Sequence, residues 1–380
     1  MNAIPLSLYV HVPWCVRKCP YCDFNSHAAP TALPEAEYVD ALLKDLALDS
    51  RYAQGRQLQT IFIGGGTPSL FSAQSYERLL RGIDQLVPFA ADIEITLEAN
   101  PGTFEQQKFH DYRSAGIDRL SIGIQSFDDA HLQRLGRIHG RDEALRAAAI
   151  ARQAGFDNFN LDLMFGLPEQ SEAQALADLR TAIDCGPSHL SWYQLTIEPN
   201  TEFYRRPPTL PPDDAIADLQ QHGIELMAQH GFQRYEISAY GQPGNQARHN
   251  LNYWRFGDYL GIGAGAHGKL TEPGDDGALN IRRTRKTRMP AHYLAAVAYT
   301  AESNTVPAAE LPLEFMMNAM RLCEGVEASL LTERTGLSST AIAAALRRLQ
   351  HQGLMQKSAN RLEPTPLGLL HLNALLLEFM

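Results

Sequence analysis

No hydrophobic run in this chain approaches the ~18 residues that a bilayer crossing needs. The N-terminus lacks a basic segment followed by an apolar stretch and a small-residue cleavage site, so neither a membrane span nor export is expected. Basic residues are the minority: 33 Lys and Arg stand against 43 Asp and Glu, a net charge of -10, which argues against general nucleic-acid binding. Cysteine is scarce, five in 380 residues, too few and the wrong parity for a secreted disulfide framework. Low-complexity tracts and short repeats are missing as well. What remains is an ordinary globular composition, 44% hydrophobic and 20% charged, in a chain long enough for more than one core. Three of the five cysteines crowd into one loop, a pattern that speaks for the cytoplasm and for metal.

Along the first two hundred residues, short β-rich runs alternate with helical patterns. The runs fall at residues 6–12, 60–63, 94–97, 119–124, 158–164 and 189–197, with apolar residues at helical spacing between them, such as Tyr38, Leu42 and Leu46. Alternation of this kind implies right-handed crossovers and a parallel sheet, with function at the carboxyl ends of the strands. Six units rather than eight predict an α/β fold, an incomplete (β/α)6 barrel spanning 1–205. An open doubly wound sheet would give a similar pattern. Residues 206–305 read as an extension with a helix at 213–229, a strand at 234–238 and a Gly-rich aromatic stretch at 245–268. From 306 to 380 the pattern turns helical, with a helix-turn-helix at 332–349 and a small wing at 353–364, the outline of a winged-helix-like domain.

The first strand runs directly into Cys15-Val16-Arg17-Lys18-Cys19-Pro20-Tyr21-Cys22. Spacings of three and four residues reach at most roughly 10–14 Å, enough to wrap three thiolates round one corner of a cubane cluster. Iron–sulfur clusters usually take four thiolates. Three leave one iron open, which marks ligand exchange or catalysis. The competing reading is structural zinc with His11 or His27 as a fourth ligand. Cys185 and Cys323 stand far along the chain and read as buried thiols. After the second strand comes Gly64-Gly65-Gly66-Thr67-Pro68, where the backbone can approach a ligand closely and free N–H groups could meet a carboxylate. Polar residues at later strand ends, Glu98, Gln125, Asp162 and Glu198, point at the same rim.

Cys-x-x-x-Cys-x-x-Cys after one strand and Gly-Gly-Gly-Thr-Pro after the next resemble the radical S-adenosylmethionine superfamily. That resemblance implies a [4Fe–4S] cluster on Cys15, Cys19 and Cys22 with S-adenosylmethionine on the open iron, and reductive cleavage to an adenosyl radical. Tyr9-Val10-His11-Val12-Pro13, Glu98-Ala99-Asn100-Pro101, residues 121–127 and Asn160-Leu161-Asp162 extend the likeness to the oxygen-independent coproporphyrinogen III oxidase group. By position in its motifs, Tyr9, Gly65, Glu98 and Thr196 would contact the cluster-bound S-adenosylmethionine. Tyr21, Gly66, Thr67, Gln125, Arg137 and Asp162 correspond to the place where the oxidase holds a second molecule.

Two differences separate the chain from the oxidase itself: Phe24 stands where that motif has a further cysteine, and Cys15 lies almost at the start. In their place, His249-Asn250-Leu251-Asn252-Tyr253-Trp254 matches the His-Asn-x-x-Tyr-Trp signature of the group's haem-chaperone branch. The resemblance therefore implies a chain that binds haem and delivers it to an acceptor haemoprotein, membrane-bound acceptors included. It has His249, Tyr253 and Trp254 as haem-site candidates, and His267 as a second histidine near the rim. Haem iron takes His, Cys, Met or Tyr ligands, and the ring favours aromatic walls; a buried histidine among core aromatics is the plainer reading of His249. A radical enzyme acting on a porphyrinogen is the alternative function. DNA binding through the C-terminal helices is a remote third, since Arg347 and Arg348 are their one tight basic pair. The basic run at 282–288 reads as a solvated strand or loop face.

Overall fold

The computed structural model describes residues 4–102, 108–274 and 278–380. Six parallel strands form its centre: β1 (Leu6–Val12), β2 (Leu58–Gly65), β3 (Phe89–Ala99), β4 (Arg119–Gln125), β5 (Asn158–Phe165) and β6 (His189–Gln194). They lie side by side in chain order, and intervening helices such as Glu35–Asp49, Ala73–Leu86, Arg141–Gln153 and Glu172–Asp184 carry the chain back. Alternation of side chains along each strand explains the layers. On β1, Leu6, Leu8, Val10 and Val12 are fully buried toward the helical side, each worth about 2 kcal/mol of transfer free energy. Ser7, Tyr9 and His11 take the intervening positions and face inward, where Thr60 Oγ1 donates to Ser7 Oγ at 2.8 Å.

The expected α/β barrel is present, and it is wider than six strands. Four strands join one edge: β9 (Asp258–Ile262) pairs parallel with β1, and β10 (His267–Pro273), β11 (Leu279–Lys286) and β12 (Thr300–Thr305) continue antiparallel. At the other edge, β8 (Ala239–Gly241) and β7 (Gln233–Glu236) pair antiparallel after β6. The whole is one 12-stranded sheet. The sixth strand stops at Gln194 rather than running to 197, its last ladder bond being the Leu195 N–H on the Phe165 carbonyl at 2.9 Å.

Helix Arg248–Trp254 closes the N-terminal end of the barrel. The His249 N–H donates to Glu94 in the middle of β3, and the His249 ring meets Thr60 near the start of β2. The cysteine loop occupies the opposite end. Its neck is laced by a two-residue parallel ladder, Trp14–Cys15 against His27–Ala28, with the His27 N–H on the Pro13 carbonyl at 2.7 Å and the Ala29 N–H on the Cys15 carbonyl at 2.9 Å.

The C-terminal helices form a second core around Phe315, Met316, Met320, Leu349 and Leu375, which Phe256 and Ile281 of the sheet region join. Their helices run Ser329–Thr335 and Ala343–His351, so the pair starts earlier and ends later than the helix-turn-helix expected at 332–349. The expected wing is a minimal one: Arg361–Leu362 pairs with Val326–Glu327, and Met355 bridges Pro364.

The basic run at 282–288 departs most from expectation. Arg282 pairs with Glu272, Arg283 with Glu314, Arg285 with Glu302, and Lys286 is buried between Asp45 and Asp49 of the first helix at 2.6 Å each. Burying a lysine is costly unless it is paired and hydrogen-bonded, so these charges clamp β11 to the barrel instead of forming a free basic face.

Candidate cluster and cofactor site

Cys15, Cys19 and Cys22 open onto one cavity of about 450 Å³ at the carboxyl ends of the strands. None is in a disulfide. Burial pushes the Cys15 and Cys22 thiols up, offset in part by hydrogen bonds to Thr67 and Ser26 for Cys15 and to the Phe24 backbone and Ser26 for Cys22. Metal binding at such a site releases protons and is correspondingly pH-dependent. Three free thiols with no histidine among the described residues of the cavity's walls suit an iron–sulfur cluster with an open corner. The zinc reading loses its extra ligands: Nε2 of His11 lies 2.9 Å from the Asn25 carbonyl and Nδ1 2.9 Å from the Tyr9 hydroxyl, while His27 contacts Asn25 Oδ1 at 3.3 Å.

The same cavity is lined by Tyr21, Gly65, Gly66, Thr67, Glu98, Gln125, Arg137, Asp162 and Thr196, together with Glu198. Tyr9 stands apart: it lines an adjoining cavity of about 570 Å³ that shares Gly65, Glu98 and Phe24 with the first.

The glycine loop works differently from the sequence expectation. Its amides are not free: the Gly65 N–H donates to Glu98 Oε2 at 3.1 Å, Gly66 to the Val12 carbonyl and Thr67 to the Trp14 carbonyl. The loop lies flush against the root of the cysteine segment, so close packing is what demands glycine. Gly65 has φ +117°, and a Cβ there would sit 2.6 Å from the His11 ring.

Behind the loop, Glu98 is partly buried, and its carboxyl is pushed up to about 7, by desolvation first and by Asp162 second, against the Gly65 N–H. Asp162 accepts from Ser121 Oγ at 3.0 Å and Asn160 Nδ2 at 2.8 Å. Gln125 sits at φ 69°, an uncommon conformation for a non-glycine residue, and accepts from the Tyr193 hydroxyl at 2.8 Å. Arg137 spans the cavity, holding Asn100 Oδ1 and the Gly123 carbonyl at 2.7 Å each.

Tyr193 and Asn100 were missed as site residues from sequence. Asn100 sits inside the quoted Glu-Ala-Asn-Pro motif, a usable signal, whereas Tyr193 is one aromatic among several on its strand.

The haem candidates divide. Tyr253 and His267 line the second cavity beside Tyr9. His249 is only 1% exposed, with Nδ1 2.7 Å from Thr60 Oγ1 and Nε2 2.7 Å from the Tyr253 hydroxyl. Trp254 points the other way, under the Arg321 guanidinium at 4.3 Å and against the C-terminal core.

Comparison with known proteins places this geometry. The Radical SAM superfamily profile matches residues 9–182, and the HemN C-terminal domain profile matches 306–371. The fold is that of coproporphyrinogen III oxidase (HemN) from Escherichia coli, a radical SAM enzyme, with TM-score 0.82 at 22% identity over 99% of this chain and 90% of that one. The chain is thus a radical S-adenosylmethionine protein of the α/β class with a helical C-terminal part. Among relatives, the heme chaperone HemW of Escherichia coli is 54% identical over 376 residues, covering 99% of this chain and 98% of that protein. The heme chaperone HemW of Bacillus subtilis is 32% identical over 372 residues, 95% of this chain and 96% of that one. This chain belongs to the HemW family.

Proposed function

We propose that this chain is a haem chaperone. It holds a [4Fe–4S] cluster on Cys15, Cys19 and Cys22, takes S-adenosylmethionine at the open iron, binds haem, and passes it to an acceptor haemoprotein. Membrane-bound acceptors are included, and the cytoplasm is the proposed compartment. The observation that carries the reading is the convergence of three free thiols, the glycine loop and Glu98 on one cavity, in a chain of the HemW family.

When bound, cluster and cofactor would supply a reductively generated adenosyl radical; the residues here do the holding. The thiols furnish the cluster ligands. Glu98 offers a carboxylate to the cofactor's ammonium group, and Arg137 and Gln125 shape the opposite wall. The cavity is large enough for one cofactor-sized ligand, and Phe24 stands at its lip, 61% exposed.

The test is anaerobic purification and cluster reconstitution, with iron and sulfide assayed alongside a haem titration. Expected are about four irons per chain, lost when all three cysteines become alanine, and a saturable Soret band. A loaded protein that ignores haem but converts coproporphyrinogen would replace this reading with the porphyrinogen enzyme.

A further inference from the structure

Resting on the haem-binding reading above, we infer that haem docks in the second cavity at the barrel mouth and that His267, not His249, supplies its axial ligand. The cavity, about 570 Å³, adjoins the cysteine loop through Asp23, Phe24 and Asn25, a size ordinary for cofactor pockets of about 300–1,000 Å³.

The ligand follows by accounting for each donor. Haem iron takes His, Cys, Met or Tyr, and the cavity walls offer Tyr9, His11, Tyr253, Tyr259 and His267. Tyr9 and His11 are bonded to each other, and the second His11 nitrogen to the Asn25 carbonyl. The Tyr253 hydroxyl is held by His249, and the Tyr259 hydroxyl accepts from Arg283 Nη1 at 3.1 Å. Among the described residues, the His267 ring alone of these five has no hydrogen-bond partner, and the residue is exposed at the start of β10. Burial, then the neighbouring Arg285 and Arg283 guanidinium groups, lower its pKa, with Glu302 opposing. The ring is therefore neutral near pH 7 and carries a free lone pair, the state that ligates metal.

The surroundings suit the rest of the molecule. Tyr253 and Tyr259 pack edge to face, ring centroids 4.6 Å apart, and Phe24 leaves a large apolar face uncovered at the lip. Aromatic faces of this kind stack on a flat conjugated ring. Arg288 is exposed on the same cavity, and its guanidinium has no partner among the described residues, so it is available to a propionate carboxylate. Arg285 is already engaged by Glu302.

His249 then acts through another residue. Fully enclosed and bonded at both ring nitrogens, it cannot meet iron without giving up Thr60 and Tyr253 and opening the helix that carries it. It is a positioning residue that fixes the Tyr253 hydroxyl, and with it the cavity floor.

The experiment titrates haem into cluster-loaded wild type, His267→Ala, His267→Met and His249→Gln, recording optical spectra and iron content. Expected is a loss of the histidine-ligated spectrum in His267→Ala with at least tenfold weaker binding, its recovery on adding imidazole, and a shifted rather than absent band in His267→Met. His249→Gln should keep the ligation spectrum with a smaller loss of affinity. Unchanged spectra and affinity in His267→Ala would overturn the assignment, as would a histidine signature lost only in His249→Gln. Wild type that takes up no haem would instead sink the chaperone reading, so the two failures are separable.

Discussion

Arg137 and Cys19 face one another inside the cavity, the guanidinium Nη1 3.7 Å from the thiol sulfur. Because Nη2 is held by Asn100 and the Gly123 carbonyl, this positive charge is fixed in direction. It supplies a hydrogen-bond donor to a proposed cluster ligand from a helix–helix connection far away in sequence. Arg137→Met keeps the length and removes the charge and all three contacts. Leaving Asn100 Oδ1 and a carbonyl unpartnered costs about 1–3 kcal/mol of local stability, and with the wall's fixed charge gone S-adenosylmethionine affinity should fall about tenfold. Equilibrium dialysis on reconstituted protein, with iron and sulfide determined in parallel, reads this out; unchanged affinity would leave Arg137 as a structural residue only.

Glu98 gives the site a pH dependence. Its folded carboxyl titrates at about 7, so the ionised form that attracts an ammonium group dominates only above that point. Each unit below it costs about 1.4 kcal/mol to deprotonate. Cofactor affinity should therefore drop roughly tenfold between pH 7.5 and 6. Glu98→Gln should bind more weakly at pH 7.5 and show a flat profile across that range. A wild-type profile that is equally flat would remove Glu98 from the cofactor's contacts.

Gly65→Ala tests the close approach of strand end and cysteine root. The added methyl would meet the His11 ring at 2.6 Å in a left-handed backbone region, so His11 must leave Tyr9 or the loop must move. Reconstituted iron content should fall by half or more while far-ultraviolet circular dichroism stays close to wild type. Full iron occupancy would show that the loop tolerates the shift.

His249→Ala is expected to destabilise the fold by about 2–4 kcal/mol at neutral pH, through a cavity and an orphaned Tyr253 hydroxyl. The sign of its pH dependence follows from burial, which lowers the folded pKa from 6.5 to about 3, with Arg119 adding to it. Below 6.5 the unfolded chain binds a proton that the folded one refuses, so wild type loses this residue's contribution as pH falls toward about 3. The penalty of the substitution should thus shrink by up to about 1.4 kcal/mol per unit below pH 6.5. Urea unfolding midpoints of the two proteins at pH 7.5 and 5.5 measure it, and a constant gap would contradict the buried neutral ring.

Local pattern exposed much of this arrangement in advance. β1 spans Leu6–Val12 and the helix after β6 spans Asp213–Gln229, each residue for residue as periodicity suggests, because their apolar positions repeat cleanly at periods 2 and 3.6. Glu98 and Gln125 could be picked out because each lies at the end of a strand, whereas Tyr21, Arg137 and Thr196 rested on the motif resemblance. The additional sheet strands were harder: β9 joins β1 across some 250 residues of chain, and nothing local announces a partner that distant. Lys286 looks like any surface lysine until Asp45 and Asp49 arrive from the first helix. The ring partners of His249 were equally invisible, since Thr60 is separated from it by 189 positions.

The laced neck of the cysteine loop bears on how iron comes and goes. Backbone ladders at Trp14–Cys15 and His27–Ala28 draw the noose shut with the chain's own amides. The chain does not have to knot itself round its inorganic cargo as a small zinc domain must. A cluster lost from the proposed site would leave these backbone bonds as the chain's own means of holding the loop's neck.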